Sequence, residues 1–374
     1  MEYVNLGDVA TYINGYAFKP EQRGKKGLPI IRIQDLNGNS HDLGFFDGEY
    51  PEQVEINTGD ILISWSGSLG VYKWNKGKAL LNQHIFKVLF NKIEIDKEYF
   101  CYAIRNSLSS MSQQTHGATM KHITKKDFDN ISIPYPNLDE QKKIANNLNI
   151  VNKLIMFYEK ELILFEQMVK ARFIEMFGDL KSNEKNWNLK TFEEMSVLIT
   201  DGEHSTPKRT KEGIYLLSAR NVLNHSLQLK DVDYINRDEY LRIAKRVVPK
   251  KGDILISCSG TIGRCCSVPD SLQLQMVRSV ALIRFKEVIN PIFAEYMITS
   301  DYLQEQINSS KTMSSQANLF QGKIRKLKGF LPPTELQQQF ADFVRQVDKS
   351  REEVKKSLEK TQQLYDSLMQ EYFG

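Results

Sequence analysis

At 374 residues the chain is too long for one ordinary core and suits two to four modules. Hydrophobic residues make up 41% and charged residues 26%; no apolar run approaches the roughly 18 residues of a membrane span, and the start MEYVNLGDVA lacks a basic then apolar leader, so a cytoplasmic protein is expected. Net charge is +4, with the surplus in residues 179–333 (23 basic, 17 acidic), which suits a phosphate-binding face and equally a solvated mixed surface.

In chain order, residues 1–136 read as a mixed α/β module with strands at 28–33, 60–64 and 85–90 and a short helix at 97–107. Residues 137–178 follow as one long helix. Its apolar positions Ile144, Leu148, Val151, Ile155, Tyr158, Leu162, Phe165, Val169 and Met176 follow the three-four alternation of a coiled-coil seam, broken at Arg172. Asn137, with Glu140 three residues on, is its cap candidate. Residues 179–333 repeat the plan of the first module, with strands at 215–217, 253–257 and 280–285 and a helix at 291–306. A second long helix, 334–374, carries Phe340, Val344, Val347, Val354, Leu358, Tyr365, Leu368 and Tyr372 in the same register, 196 positions on, with breaks at Arg351 and Thr361. Thr334 and Gln337 have the spacing of a capping box. Each helix extends about 60 Å at 1.5 Å per residue. The matched registers predict an antiparallel pair carrying the chain out and back, against the plainer reading of two unrelated core helices.

The modules share TGDILISWSGSLG (58–70) and KGDILISCSGTIG (251–263), 193 positions apart, and each long helix ends on a Glu-x-Phe-Gly tetrapeptide, Glu175 to Gly178 and Glu371 to Gly374. Gly-Asp-Ile-Leu reads as a turn into a buried strand. The Ser-x-Ser-Gly-x-x-Gly that follows is either a structural turn or a loop whose backbone and hydroxyls meet phosphates; it lacks the lysine-bearing pattern of a nucleotide loop. The cysteines, Cys101, Cys258, Cys265 and Cys266, show no metal-ligand spacing and are expected to be buried thiols rather than zinc ligands or disulfides. Ile133-Pro-Tyr-Pro136 lacks the leading Asn or Asp of amino-methyltransferase motifs, and Pro269-Asp270 lacks the carboxylate and lysine of a nuclease. Neither activity is expected.

The order of module, proline-ended strand, Asp139-Glu-Gln-Lys-Lys-Ile-Ala145 helix, second module and second helix resembles the specificity subunit of type I restriction-modification systems. The resemblance rests on Gly59 to Leu62 with Ser64 to Gly70, Gly252 to Leu255 with Ser257 to Gly263, Pro134 to Gln141, and Ser315-Gln-Ala-Asn-Leu319 running to Pro333. It covers essentially the whole chain. It departs at Leu336-Gln337, where the family tends to show Glu-Gln, and at Ala118-Thr-Met-Lys121 in the first polar loop. The resemblance implies an α/β protein with two similar target-recognition modules, 1–136 and 179–333, separated by two long antiparallel coiled-coil helices, 137–178 and 334–374, in a pseudo-two-fold repeat. It implies a non-catalytic reader of a bipartite, asymmetric double-stranded DNA target, docking two methyltransferase subunits and joined by restriction/translocase subunits. S-adenosylmethionine and ATP with Mg are then expected on those partners and no cofactor or metal on this chain.

Loop chemistry selects the expected DNA contacts: Lys19, Ser66, Ser68, Asn82, His84, Gln114, His116, Thr119 and Lys121 in the first module, and His204, Lys208, Arg209, Arg220, Ser259, Thr261, Arg264, Arg278, Lys311, Ser315, Gln316 and Asn318 in the second. Each histidine also suits an ordinary surface or core position, and the polar runs suit plain solvated loops. Ile144, Leu148, Val151, Ile155, Leu162, Phe165, Phe340, Val344, Val347, Val354, Leu358 and Leu368 are expected to form the helix-pair and partner interface. A different class of protein, a coiled-coil scaffold whose globular ends bind other proteins, fits the same pattern and is separated from a DNA reader by salt-dependent binding to duplex DNA.

Overall fold

The computed structural model describes residues 2–39, 42–114, 123–309 and 318–374. The chain divides into two compact units, Met1–Glu159 with Lys356–Gly374, and Lys160–Lys355. Each unit takes one module, the start of its own long helix and the end of the other long helix, so the boundaries cut through both helices rather than falling at their ends.

In the first unit β1 (Thr11–Asn14), β2 (Ile61–Ser64), β3 (Gly70–Lys73) and β4 (Ile85–Leu89) form an antiparallel sheet in the order β1-β4-β2-β3 among the described residues. The central strand Ile61-Leu-Ile-Ser64 is apolar without alternation because both of its faces are covered. Ile61 and Ile63 enter one core while Leu62 enters another. A second sheet pairs Leu28–Ile31 in parallel with Ala79–Leu81. The strand expected over 28–33 ends at Ile31, because the Asp35 carboxylate accepts from the Arg32 N–H at 2.8 Å and starts a helical turn, Ile33–Leu36. Helix α1 (Lys97–Gln114) runs past the expected end at 107.

The second unit repeats the plan with β5 (Ser196–Asp201), β6 (Ile254–Ser257), β7 (Cys265–Ser267) and β8 (Val280–Phe285) in the order β5-β8-β6-β7. Ile254 and Ile256 face one core and Leu255 another. Between these strands lies α3 (Arg237–Ala244). The single helix expected over 291–306 is two, α4 (Pro291–Thr299) and α5 (Asp301–Ser309). Ser300 breaks it: its backbone is extended, and its hydroxyl donates to the Met297 carbonyl at 2.6 Å while its own carbonyl accepts from Gln304.

The repeated motif explains itself in these hairpins. Gly59 and Gly252 have φ of +100° and +82°, a turn that favours glycine. The aspartate after each caps that turn, accepting from the N–H of Asn57 or Lys250 at 2.8 Å. Ser64 and Ser257 are fully buried and hook the next loop, donating to the Ser68 carbonyl at 2.5 Å and the Thr261 carbonyl at 2.7 Å. The Ser257 hydroxyl also accepts from the Arg264 N–H at 3.0 Å. Replacing Ser257 by Ala strands both groups and is expected to cost about 1–3 kcal/mol, with faster amide exchange confined to residues 258–264; unchanged exchange there would show that the loop does not depend on the hook.

The long helices are α2 (Leu138–Phe177) and α6 (Thr334–Phe373). Asn137 caps α2, accepting from the Glu140 N–H at 2.9 Å. The capping box expected at Thr334 and Gln337 does not form, because Thr334 is already helical and the Gln337 amide is used elsewhere. Gln337 is buried; its Oε1 accepts from the Asn290 N–H at 2.9 Å and its Nε2 donates to the Pro332 carbonyl at 2.9 Å. Gln141, its repeat partner, is likewise buried and joins the Asp96 N–H to the Pro136 carbonyl. Both glutamines therefore tie the start of a long helix to the residue that caps the first helix after the sheet, since Asp96 accepts from Tyr99 and Asn290 from Ile292.

Within the first unit Ile144 and Leu148 of α2 share a core with Leu368 and Met369 of α6, and Asn147 donates to the Tyr372 hydroxyl at 3.3 Å. Within the second, Phe165, Val169, Phe173 and Phe177 of α2 share a core with Phe340, Val344 and Val347 of α6. Since the start of each helix meets the end of the other, the pair is antiparallel in each unit. Val151 and Ile155 are buried, and Leu162, Val354 and Leu358 are half-buried. The seam breaks are accommodated: the Arg172 guanidinium lies 5.7 Å from the Phe343 ring centre, Arg351 pairs with Asp348 at 3.3 Å, and Thr361 donates to the Ser357 carbonyl. The paired tetrapeptides end both helices the same way. Gly178, at φ +76°, and Gly374 donate back to Ile174 and Gln370, while Phe177 packs on Phe293 and Phe373 on Tyr99. All four cysteines are buried and free, and burial pushes the thiols of Cys101 and Cys258 up to about 12, leaving them inert near neutral pH.

Candidate nucleic-acid interface

Both modules present the same frame at the end of their antiparallel sheets. After β1, Gly15 donates to the Ile85 carbonyl at 3.0 Å; after β5, Gly202 donates to the Val280 carbonyl at 2.9 Å. A β-carbon on Gly15 would lie 2.0 Å from the Asn82 carbonyl oxygen and one on Gly202 2.4 Å from that of Val277, so only glycine lets the strands approach. Chain re-entering from the polar loops closes the frame: the Ile123 N–H bonds the Trp65 carbonyl at 3.1 Å and the Leu319 N–H the Cys258 carbonyl at 2.9 Å.

In the second module the frame surrounds a cleft of about 730 Å³, which brings together five of the expected contacts, His204, Arg209, Ser259, Arg278 and Asn318. Ser259 and Asn318 are bridged across its wall. Asp201, Glu203, Cys258 and Phe320 also line it. Its 203–208 rim is braced by α3. Glu203 accepts from the Ser205 N–H and hydroxyl and from Arg242 at 3.5 Å, and Glu239 accepts from Arg242 at 2.9 Å and from the Lys208 N–H at 3.2 Å. The Ser205 hydroxyl, with Arg242, holds the Glu203 carboxyl below its ordinary range. Arg278 and Lys208 are exposed.

Other expected contacts take different places. Arg209 and Arg220 both pair with Asp233, at 3.0 and 3.3 Å, while staying about half exposed, so their charge toward a phosphate is partly spent. Arg264 is half-buried and donates to the Ala219 carbonyl at 2.8 Å, so its guanidinium is partly used in holding a turn. Asn82 is buried, below the surface that a base edge would touch. Thr261, Ser68 and Lys19 are exposed and Ser66 is half-buried. His84 adopts φ +71° and sets its ring edge-on to Trp65. His116, Thr119, Lys121, Lys311, Ser315 and Gln316 lie outside the described residues, as does the side chain of Gln114, the last residue of α1.

Four residues that loop chemistry passed over shape these frames: Asn14 and Trp65 in the first module, Asp201 and Cys258 in the second. For Trp65 and Cys258 the signal was the one large change of side-chain size inside the matched 58–70 and 251–263 segments; Asn14 and Asp201 lie outside them and carried none. Among the described residues no group of three or more His, Cys, Asp or Glu is placed to hold a metal ion, and no helix is long and apolar enough to cross a membrane.

A duplicated α/β frame carried on two long helices, with unlike chemistry at matched places, defines a tandem-repeat protein. The model of the type I restriction modification DNA specificity domain matches residues 1–164 and again 184–363, and the chain belongs to that family of specificity subunits. It is 25% identical to the Type I restriction enzyme EcoBI specificity subunit of Escherichia coli, over 99% of this chain and 85% of that one. It is 23% identical to the MjaVIII specificity subunit of Methanocaldococcus jannaschii, over 97% and 91%. Its fold is similar to that of the type I system S subunit from M. genitalium, with a TM-score of 0.60 at 15% identity over 100% and 96% of the two chains. A chain of another type I R-M system matches with a TM-score of 0.58 at 13% identity, over 99% and 97%.

Proposed function

We propose that this specificity subunit reads a bipartite, asymmetric DNA target, one block per module, and carries no catalysis of its own. The observation behind this reading is the pairing of a repeated frame with unrepeated lining: the Gly-Asp-Ile-Leu turns, serine hooks and glycine approaches match, whereas Trp65 in one copy corresponds to Cys258 in the other, and Asn14 to Asp201. A frame held constant while its lining changes suits two readers of different base sequences. Methyl transfer and ATP-driven cleavage then belong to partners, two methyltransferase subunits and the restriction/translocase subunits, which hold S-adenosylmethionine and ATP with Mg.

Helix α2 supports partner docking. Beyond its seam it exposes Ile150, Leu154, Met156 and Phe157 in the first unit and Ile163, Leu164, Met168 and Ile174 in the second, whereas α6 exposes Leu364. Apolar side chains at this density on a charged, soluble protein suit a helical partner surface.

Single-molecule sequencing of host DNA with and without the gene tests the reading. Loss of one split methyladenine motif is the expected result; an unchanged methylome with the methyltransferase present would refute it. For Arg278→Ala in the assembled complex, the expected result is a salt slope of binding shallower by about 0.9, one phosphate contact, with both blocks of the motif retained. A full-slope result would remove Arg278 from the backbone contacts.

A further inference from the structure

The same place in the two modules holds an indole in one and a thiol in the other. In the first, Trp65 lies nearly parallel to Phe86, with ring centres 5.5 Å apart, and its indole Nε1 donates to Asn14 Oδ1 at 3.1 Å. Asn14 ends β1 just before Gly15, as Asp201 ends β5 just before Gly202. In the second module the position of Trp65 belongs to Cys258. The small thiol removes both the indole plane and its N–H, and the cleft of about 730 Å³ stands there, lined by Asp201, Cys258, Ser259, Arg278 and Asn318.

Asp201 is thereby left as an acceptor without a protein donor. Among the described residues its carboxylate accepts no hydrogen bond, and His204 Nε2 lies 3.8 Å away. Burial pushes the Asp201 carboxyl up, countered by His204, Arg246 and Arg325. Its field in turn adds to the burial that raises the Cys258 thiol. The carboxylate is 22% exposed, so in the free protein water reaches it, and its acceptor capacity stays open to an N–H group that enters the cleft.

We infer that Asp201 is a specificity-determining residue, its carboxylate accepting the exocyclic amino group of a cytosine or adenine presented by the block that the second module reads. This rests on the proposed reading of that module as a DNA reader. A carboxylate is acceptor-only, so it favours the N4 amino group of cytosine or the N6 amino group of adenine and repels the keto oxygens of guanine and thymine. The first module has no such group at this place, because Asn14 is already engaged by Trp65, so the preference belongs to one block alone.

The test uses the full chain in its complex with the modification subunits, selecting bound duplexes from a random pool for wild type, Asp201→Ala and Asp201→Asn. Wild type is expected to require an amino-bearing base at one position of one block. Asp201→Ala should relax that position by about tenfold and leave the other block unchanged; Asp201→Asn, which both donates and accepts, should admit keto bases there. Duplexes carrying purine or pyrimidin-2-one, each lacking the amino group, separate adenine from cytosine: the matching analogue weakens wild type and leaves Asp201→Ala unaffected. Retained preference at every position in both variants would overturn the inference while the DNA-reading function stands. A wild-type complex with no sequence preference would overturn both. Neither variant is expected to lower thermal stability, since each removes a charge that burial disfavours, and a large drop in both would assign Asp201 a structural role instead.

Discussion

Phe340→Ala is expected to destabilise the second unit by about 3–5 kcal/mol, the cost of truncating a fully buried aromatic. The ring sits 5.3 Å from Phe173, 5.6 Å from Phe177 and 5.2 Å from Tyr296, edge-on to each, and has no solvent exposure. It joins the start of α6, the end of α2 and α4 in one cluster, so the cavity cannot be refilled by one neighbour. Edge-to-face pairs add to the loss beyond area burial. Chemical denaturation followed by circular dichroism should show the transition of this unit moving to lower denaturant while the first unit, whose corresponding seam residue is Ile144, keeps its midpoint. A single shifted transition would show that the units unfold together; a shift below 1 kcal/mol would remove Phe340 as the anchor of the helix pair.

Arg284→Met is expected to cost the same unit about 3 kcal/mol or more, because it leaves a buried carboxylate without its countercharge. Asp253 is 3% exposed and accepts from Arg284 Nε at 2.7 Å and Nη2 at 2.6 Å, with the Lys250 N–H as third donor. The first module carries a weaker version: Lys87 lies 3.3 Å from Asp60, whose side chain is 26% exposed. Lys87→Met should therefore cost only about 1 kcal/mol. Adding Asp253→Asn to Arg284→Met should recover part of the loss, since the amide keeps the acceptor for Lys250 and removes the charge. Equal costs for the arginine and lysine variants would mean that burial does not separate the two pairs.

Several features of the fold were legible because they depend on local pattern. The three-four spacing of Ile144 through Met176 and its copy in α6 demanded long helices. Gly59 and Gly252 marked turns, and the Gly-Asp-Ile-Leu repeats marked buried strands. Where a side chain had two uses, the pattern misled. Gln337 had the spacing of a capping box, but its amide joins Asn290 to Pro332. The helix over 291–306 carried helical residues throughout, but the Ser300 hydroxyl ended one helix and its carbonyl opened the next. Arg264 and Asn82 had the chemistry of DNA contacts in loops, yet a neighbouring carbonyl partly engaged one and packing covered the other.

Two copies of one frame on two long helices were readable in the chain, because periodicity and repetition are properties of linear order. Which residues line the frames was not, because it depends on how distant segments pack. Asp201, Cys258, Arg278 and Asn318 are far apart in sequence and carry no shared motif; they face one cleft because Gly202 lets the chain after β5 pass close to Met276 and Val277 and the Leu319 N–H returns the chain to Cys258. That Trp65 meets Asn14 and Phe86 while Cys258 lines a cleft with Asp201 depends on what stands across the gap, and linear order holds no record of it.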